Sequence, residues 1–369
     1  MRILSVVTLI SPDGAYGGPV RVAVNQARAL IEAGHQVTVA AATRGFIDPP
    51  TAIDQVPVRL FPARTILPGT GFAGLGAPAL TRWVRDHLAD FDVVHLHLAR
   101  DLVTLPVAAA VRRAGLPYFV QSHGMIDPSR NPLAGPLDAL VTRRVLRDAA
   151  AVFHLTNHER DQLRLVAGEL RFVPLANGVP EAAQAPAGPT PAEVLYLARL
   201  APRKRPLEFI AAASALTARF PDTRFRLVGP DEGEGPAVRA AIEASAADLD
   251  WEGPLAPEHS LARMAQASIY VLPSVAEPYP MSVLEALSIG RPVVITSQCG
   301  LADFVRDHQA GRVCEPDVES LVQAITELLS DPQLAEECGR NGRRAVQTEL
   351  TMTAIADRLA AQYRAALPA

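Results

Sequence analysis

The sequence predicts an α/β fold, two doubly wound domains facing each other across a cleft, and three observations carry that prediction. Short apolar, β-rich runs alternate with longer helical patterns from end to end, as in parallel sheets crossed by helices. The 369 residues suffice for two domains of roughly 150 each. Between them, from Ala176 to Pro191, the stretch NGVPEAAQAPAGPTP lacks apolar periodicity and has the composition of a linker.

The first domain is expected over residues 1–176. Its strands are read at Ile3–Ile10, Gln36–Ala42, Val93–Leu96, Tyr118–Ser122, Ala151–Thr156 and Phe172–Leu175, with helices near 19–33, 79–89, 102–113, 136–148 and 157–167. The linker is 177–191. The second domain, 192–350, has strands at Val194–Leu197, Phe225–Val228, Leu249–Glu252, Ile269–Pro273 and Pro292–Thr296. Helical pattern covers about 317–366, and its last part, 351–369, has the option of packing back on the first domain.

Composition narrows the function. With 49% hydrophobic and 20% charged residues the chain is neither disordered nor low-complexity. A net charge of −4 argues against nucleic acid as a partner of the whole chain, although residues 1–178 carry +4 and the rest −8. No apolar run reaches the roughly 20 residues of a membrane span, and the opening run Ile3–Ile10 reads as a buried strand in preference to a signal peptide. Cys299, Cys314 and Cys338 are odd in number and fit no metal-ligand spacing, which points to a reducing cytoplasm. Of 35 basic residues, Lys204 alone is lysine.

In open α/β sheets ligands bind beyond the carboxyl ends of strands, so the turns there matter most. After Ile269–Pro273 comes SVAEPYPMSVLEALSIGRPVV, in which Pro280 fits a first helical position and residues 281–283 offer backbone N–H groups to a phosphate. Glu277 at the mouth and Glu285 deeper on the helix are acceptors for hydroxyls; alone, the pair reads sooner as a helix-start acid and a solvated one, and the basic cluster that follows the run Val194–Leu197 turns the reading toward a sugar nucleotide. After Val194–Leu197, ARLAPRKRP presents Arg199 and Lys204 to a diphosphate, or is a solvated basic loop. In a chain that otherwise uses arginine, the single lysine favours the first reading.

These elements resemble the retaining glycosyltransferases of family 4, whose GT-B fold pairs two Rossmann-like domains. The resemblance rests on Glu277 and Glu285 in E-x7-E with the following ALSIGRPVV, on Arg199 and Lys204 in Arg-x4-Lys, and on Asn177-Gly178-Val179 as hinge entry. It implies that Arg199 and Lys204 hold the diphosphate of a nucleotide-sugar donor, that Glu277 contacts the transferred sugar and that Glu285 takes the ribose hydroxyls. Leu255 in EGPL falls where the family contacts the base. Pro280 stands where a glycine is common, so the remaining backbone contacts fall on Met281 and Ser282.

In the first domain, YGGPVRVA resembles the family's glycine-rich loop, where Gly17 and Gly18 let the backbone approach phosphate and acceptor. His123 in QSHG resembles the histidine beside the donor sugar. His95 and His97 on DVVHLHL are given packing and loop-end roles, since no third ligand has metal-site spacing. The triplets Asp90-Phe91-Asp92 and Asp248-Leu249-Asp250 precede strands and are read as strand-entry acids, so no essential metal and no other cofactor is expected.

The resemblance therefore implies a cytoplasmic, metal-independent retaining transferase with a carbohydrate, lipid-linked or small-molecule acceptor on the first domain, and domain closure on donor binding. A nucleotide-sugar epimerase of the same fold and a non-catalytic nucleotide-sugar-binding protein are the alternatives. The segment PLDALVTRRVLRDA over 136–148 combines apolar and arginine residues in a way that suits an anionic membrane surface or a helix packed on its own domain.

Overall fold

The computed structural model describes residues 1–12, 17–129, 131–186, 188 and 190–367, and the chain divides into two compact units, Met1–Gly178 with Met352–Ala369, and Val179–Thr351. In the N-terminal unit the order is β1 (Arg2–Ile10), α1 (Gly17–Glu32), β2 (Gln36–Thr43), β3 (Ala52–Ile53), β4 (Val56–Pro62) and a small ladder of β5 (Arg64–Thr65) with β6 (Leu75–Gly76). Then follow α2 (Pro78–His87), β7 (Val93–His97), α3 (Thr104–Ala114) and β8 (Tyr118–Gln121). A helix continuous through a π-helical stretch at Asp138–Thr142 comes next, comprising α4 (Ala134–Leu137) and α5 (Arg143–Asp148). β9 (Ala151–His154), α6 (Asn157–Ala167) and β10 (Phe172–Pro174) complete this part.

The main sheet runs β10-β9-β8-β7-β1-β2-β4-β3, parallel except for the β3–β4 hairpin. The chain builds outward from β1 through β2, then resumes on the other side at β7, so the switch point lies between β1 and β7. Eight of the nine β1 residues are buried, which is why its sequence is mostly apolar, broken only by the small Ser5 and Thr8, instead of a strict alternation. One sheet face packs Leu4, Val6, Leu96 and Val120 on one set of helices; the other packs Ile3, Val7, Phe119 and Phe153 on α1 and the chain's last helix.

The C-terminal unit contains β11 (Glu193–Leu197), α7 (Pro206–Leu216), β12 (Arg224–Val228), α8 (Gly235–Glu243), β13 (Asp248–Trp251) and α9 (Ser260–Met264). It continues with β14 (Ile269–Leu272), α10 (Met281–Ser288), β15 (Val293–Thr296), α11 (Ala302–Asp307) and β16 (Gly311–Cys314). α12 (Val318–Ser330) and α13 (Pro332–Glu349) close it, and α14 (Met352–Ala366) belongs to the N-terminal unit. The sheet order is β13-β12-β11-β14-β15-β16, parallel throughout, with its switch point between β11 and β14.

Several sequence expectations change. The helical segments expected over 317–366 are three helices, the first two started by Asp317 and Asp331, which accept the amides of Ser320 and Leu334. β4 and β16 carry no expected strand: prolines 57 and 62 obscure the first, and the second is a four-residue edge strand opened by glycine. Residues 179–186 are not a free tether, since Arg343 and Arg291 donate to the carbonyls of Ala182 and Pro186. Asp248 and Asp250 lie inside β13, not before it, with Asp248 paired to Arg226 at 2.8 Å.

The 136–148 segment is largely a packing helix. Leu137, Val141, Val145 and Leu146 face the core, while Arg143 and Arg147 donate to the last carbonyls of α6, at Val166 (2.8 Å) and Ala167 (2.9 Å). Leu140 and Arg144 remain exposed. Among the described residues no helix is long and apolar enough to cross a membrane.

Candidate active site

The loops at the carboxyl ends of β11 and β14 meet at the switch point of the C-terminal unit. After β11, buried Leu200 anchors the loop: its N–H donates to Pro230, and its carbonyl accepts from Glu232 and Glu234. A 3₁₀ turn, Pro202–Lys204, then tightens the chain, and Arg205 takes a left-handed φ of 56° before Pro206 starts α7. That sharp turn brings the Lys204 side chain inward, where it is 11% exposed.

After β14, Ala276 has a φ of 49°, and the Glu277 carbonyl accepts from Gly300, so the acid is fixed at its backbone. The Val275 N–H donates to the Arg203 carbonyl, which ties the two loops together. Non-glycine residues in left-handed conformation store strain, and two such residues flank Lys204 and Glu277.

The side chains converge accordingly. Lys204 Nζ lies 2.5 Å from Glu277 Oε2, and Arg203 Nη1 lies 3.0 Å from the same oxygen. Burial pulls the Lys204 pKa down, and the charge of Glu277 opposes that shift. The Tyr270 hydroxyl bridges the Leu197 carbonyl at 3.0 Å and Ser282 Oγ at 2.8 Å, joining the end of β11 to the first turn of α10. Pro280 is the N-cap of α10 and not its first helical residue; Val283 bonds back to the Pro280 carbonyl, which leaves Met281 and Ser282 at the open end. Glu285 is partly buried on the same helix.

Arg199 is not in this cluster. Its guanidinium is half exposed and pairs with Glu232 at 2.7 Å. Leu255 is half-buried beyond β13, where Trp251 Nε1 donates to the Gly229 carbonyl and the Gly229 amide donates to Gly253. Cys299 adjoins Glu277 through a backbone bridge, but burial pushes its thiol up to about 12, so it is no thiolate nucleophile.

In the N-terminal unit, Gly17, His97 and His123 follow or end β1, β7 and β8, at or beside that sheet's switch point. Gly17 and Gly18 open α1, and a Cβ at Gly18 would meet nothing within 4 Å. His123 has a φ of 53°, and its Nε2 lies 2.8 Å from His97 Nδ1. Buried Glu159 clamps the same turn: Oε1 accepts from the Ser122 hydroxyl and the Gly124 amide, and Oε2 from the Leu155 amide. Among the described residues no group of three or more His, Cys, Asp or Glu is placed to hold a metal.

Two family models cover most of the chain: "Glycosyl transferase 4-like domain" over residues 17–178 and "Glycosyl transferases group 1" over 181–345. The chain belongs to glycosyltransferase family 4. Curated relatives agree. The glycogen synthase of Mycobacterium tuberculosis is 27% identical over 99% of this chain and 95% of its own. The alpha-D-kanosaminyltransferase of Streptomyces kanamyceticus is 28% identical over 69% of this chain and 72% of its own. In fold, a sucrose-phosphate synthase from Thermosynechococcus elongatus matches with a TM-score of 0.75 at 20% identity, covering 99% of this chain and 98% of that one. Both units of this glycosyltransferase are thus Rossmann-like halves of a GT-B fold, and its substrates include nucleotide sugars.

Sequence reasoning missed Arg203, Tyr270, Glu159 and His97 as parts of the two loop clusters. For Arg203 and Tyr270 no local signal existed, since their partners are dozens of residues away or on another strand. Thr156 and Glu159, in contrast, form a T-x-x-E start signal for α6, with the Glu159 amide bonded to Thr156 Oγ1.

Proposed function

We propose that this glycosyltransferase is a retaining, metal-independent hexosyltransferase that moves a hexose-like sugar from a nucleoside diphosphate to a glycan, glycolipid or natural-product acceptor. The observation that carries the reading is the buried Lys204–Glu277 pair at the open end of α10. The Glu277 carboxylate is paired with the Lys204 ammonium. In the proposed complex Lys204 and the amides of Met281 and Ser282 take the diphosphate, which releases Glu277 to the sugar hydroxyls.

Arg199 swings from exposed Glu232 to the same diphosphate, Glu285 takes the ribose and Leu255 covers the base. Gly17, Gly18 and His123 belong to the acceptor side and the transferred sugar. No carboxylate among the described residues is assigned as nucleophile, so in this reading the acceptor attacks the face from which the diphosphate leaves, and the leaving phosphate takes its proton. The positive charge of Lys204 and Arg199 meets the leaving group's charge without a metal.

A panel of nucleotide sugars tested for thermal stabilisation identifies the donor, because a bound ligand raises melting by mass action. Turnover with and without acceptor follows. Sugar should be transferred only when acceptor is present; an epimerised or free sugar nucleotide formed without acceptor, or binding without turnover, would replace the reading.

A further inference from the structure

A line of three imidazoles runs from the interior of the N-terminal unit to its site loop. His95 and His97 are alternate residues of β7, so their side chains share a face of the sheet. Their rings stack with centroids 4.6 Å apart, and the His97 and His123 rings lie 5.1 Å apart and nearly parallel. His95 Nδ1 is 2.7 Å from the Tyr363 hydroxyl, and His97 Nδ1 is 2.8 Å from His123 Nε2. The Nε2 atoms of His95 and His97 are buried with no hydrogen-bond partner among the described residues.

Those two orphan nitrogens decide where the protons are. A cationic His97 would carry N–H on both nitrogens, burying an unpaired donor and a charge between two other rings. Burial and the two neighbouring histidines accordingly hold its pKa well below the usual range. In the neutral ring, Nε2 is either an unpaired N–H or an unpaired lone pair, and buried orphan donors are the rarer of the two. The His97 proton therefore sits on Nδ1 and is donated to His123 Nε2. His123, accepting at Nε2, must carry its own proton on Nδ1.

We propose that His97 is a positioning residue that locks His123 as the neutral Nδ1–H tautomer, so that His123 offers a ligand oxygen a hydrogen-bond donor and not a base. The use of that donor on a sugar or phosphate oxygen rests on the glycosyl-transfer reading; the tautomer itself does not. The backbone is fixed independently. Glu159 holds the residues on either side of His123, at Ser122 and Gly124, so ring and main chain are set by separate partners. General-base chemistry at the acceptor hydroxyl is thereby left to the donor's own phosphate.

The full chain labelled with ¹⁵N-histidine tests this directly by long-range ¹H–¹⁵N correlation. His97 and His123 should both show a protonated Nδ1 and a bare Nε2, unchanged between about pH 5 and pH 8. A protonated Nε2 on His123, averaging between two tautomers, or titration in that range overturns the proposal. His97→Asn places an amide N–H near the position of Nδ1 and should preserve the His123 signature. His97→Leu removes the donor and should let His123 average, with kcat falling about tenfold, as for one misplaced hydrogen bond, while donor KM changes little. Identical His123 spectra in the two variants would show that His97 does not set the tautomer, whatever the turnover.

Discussion

Lys204, the chain's one lysine, is buried against the Glu277 carboxylate between two loops that are themselves tied together. An arginine there would have to fit a broad planar fork into a space closed by Glu277, and its donors would point out of the phosphate's reach. Lys204→Arg should therefore cut donor-dependent turnover on the order of a hundredfold or more, while the protein still folds and melts cooperatively in the absence of donor. Arg203→Lys keeps a cation within reach of Glu277, and Arg205 is turned toward the Pro316 carbonyl and Glu208, so Arg203→Lys and Arg205→Lys should each change turnover only a few fold. An active Lys204→Arg enzyme would move the diphosphate site elsewhere. At this scale the sequence was informative wherever spacing along one loop sufficed: Lys204 was singled out by being the chain's one lysine, and Glu277 and Glu285 by their spacing. The Arg199–Glu232 pair was illegible, because Glu232 reaches Arg199 from the loop after a neighbouring strand.

Elements were legible in proportion to how far their burial shows as a pattern. β1 is buried on both faces and reads as an apolar run with only Ser5 and Thr8 in it, while β4 is interrupted by two prolines and β16 spans four residues, so neither shows as a strand pattern. The packing of α13 was equally hidden. A Cβ at Gly339 would lie 2.1 Å from the Gly290 carbonyl, at the turn that follows α10. Neither atom belongs to a flexible side chain, so Gly339→Ala must push the helix off that turn. The expected loss is about 1–3 kcal/mol in chemical denaturation. A neutral result would mean that α13 does not fix the rear of α10. The arginines of the 136–148 segment fit the reading of a helix packed on its own domain: two of the three cap α6.

For the whole molecule, the same burial that orders the histidines makes stability depend on pH. Desolvation holds His95 at a pKa of about 3, whereas an unfolded histidine titrates near 6.5. Between those values the unfolded chain binds a proton that the folded chain refuses, so this contribution is complete above about pH 6.5 and is lost as pH falls toward 3. Denaturation between pH 7 and about pH 4.5 should show the wild type losing about 1.4 kcal/mol per pH unit more than His95→Gln at the low end; equal slopes would contradict the buried neutral ring. The doubly wound order of both sheets brings every site loop to a strand's carboxyl end, which is why alternation of elements alone was enough to say where to look. What those loops do together is read most directly from product. The enzyme, exhaustively chelated and supplied with its donor and acceptor, should form a glycoside whose anomeric configuration by NMR equals that of the donor; an inverted anomer, or product that returns only with Mg²⁺ or Mn²⁺, would contradict the account.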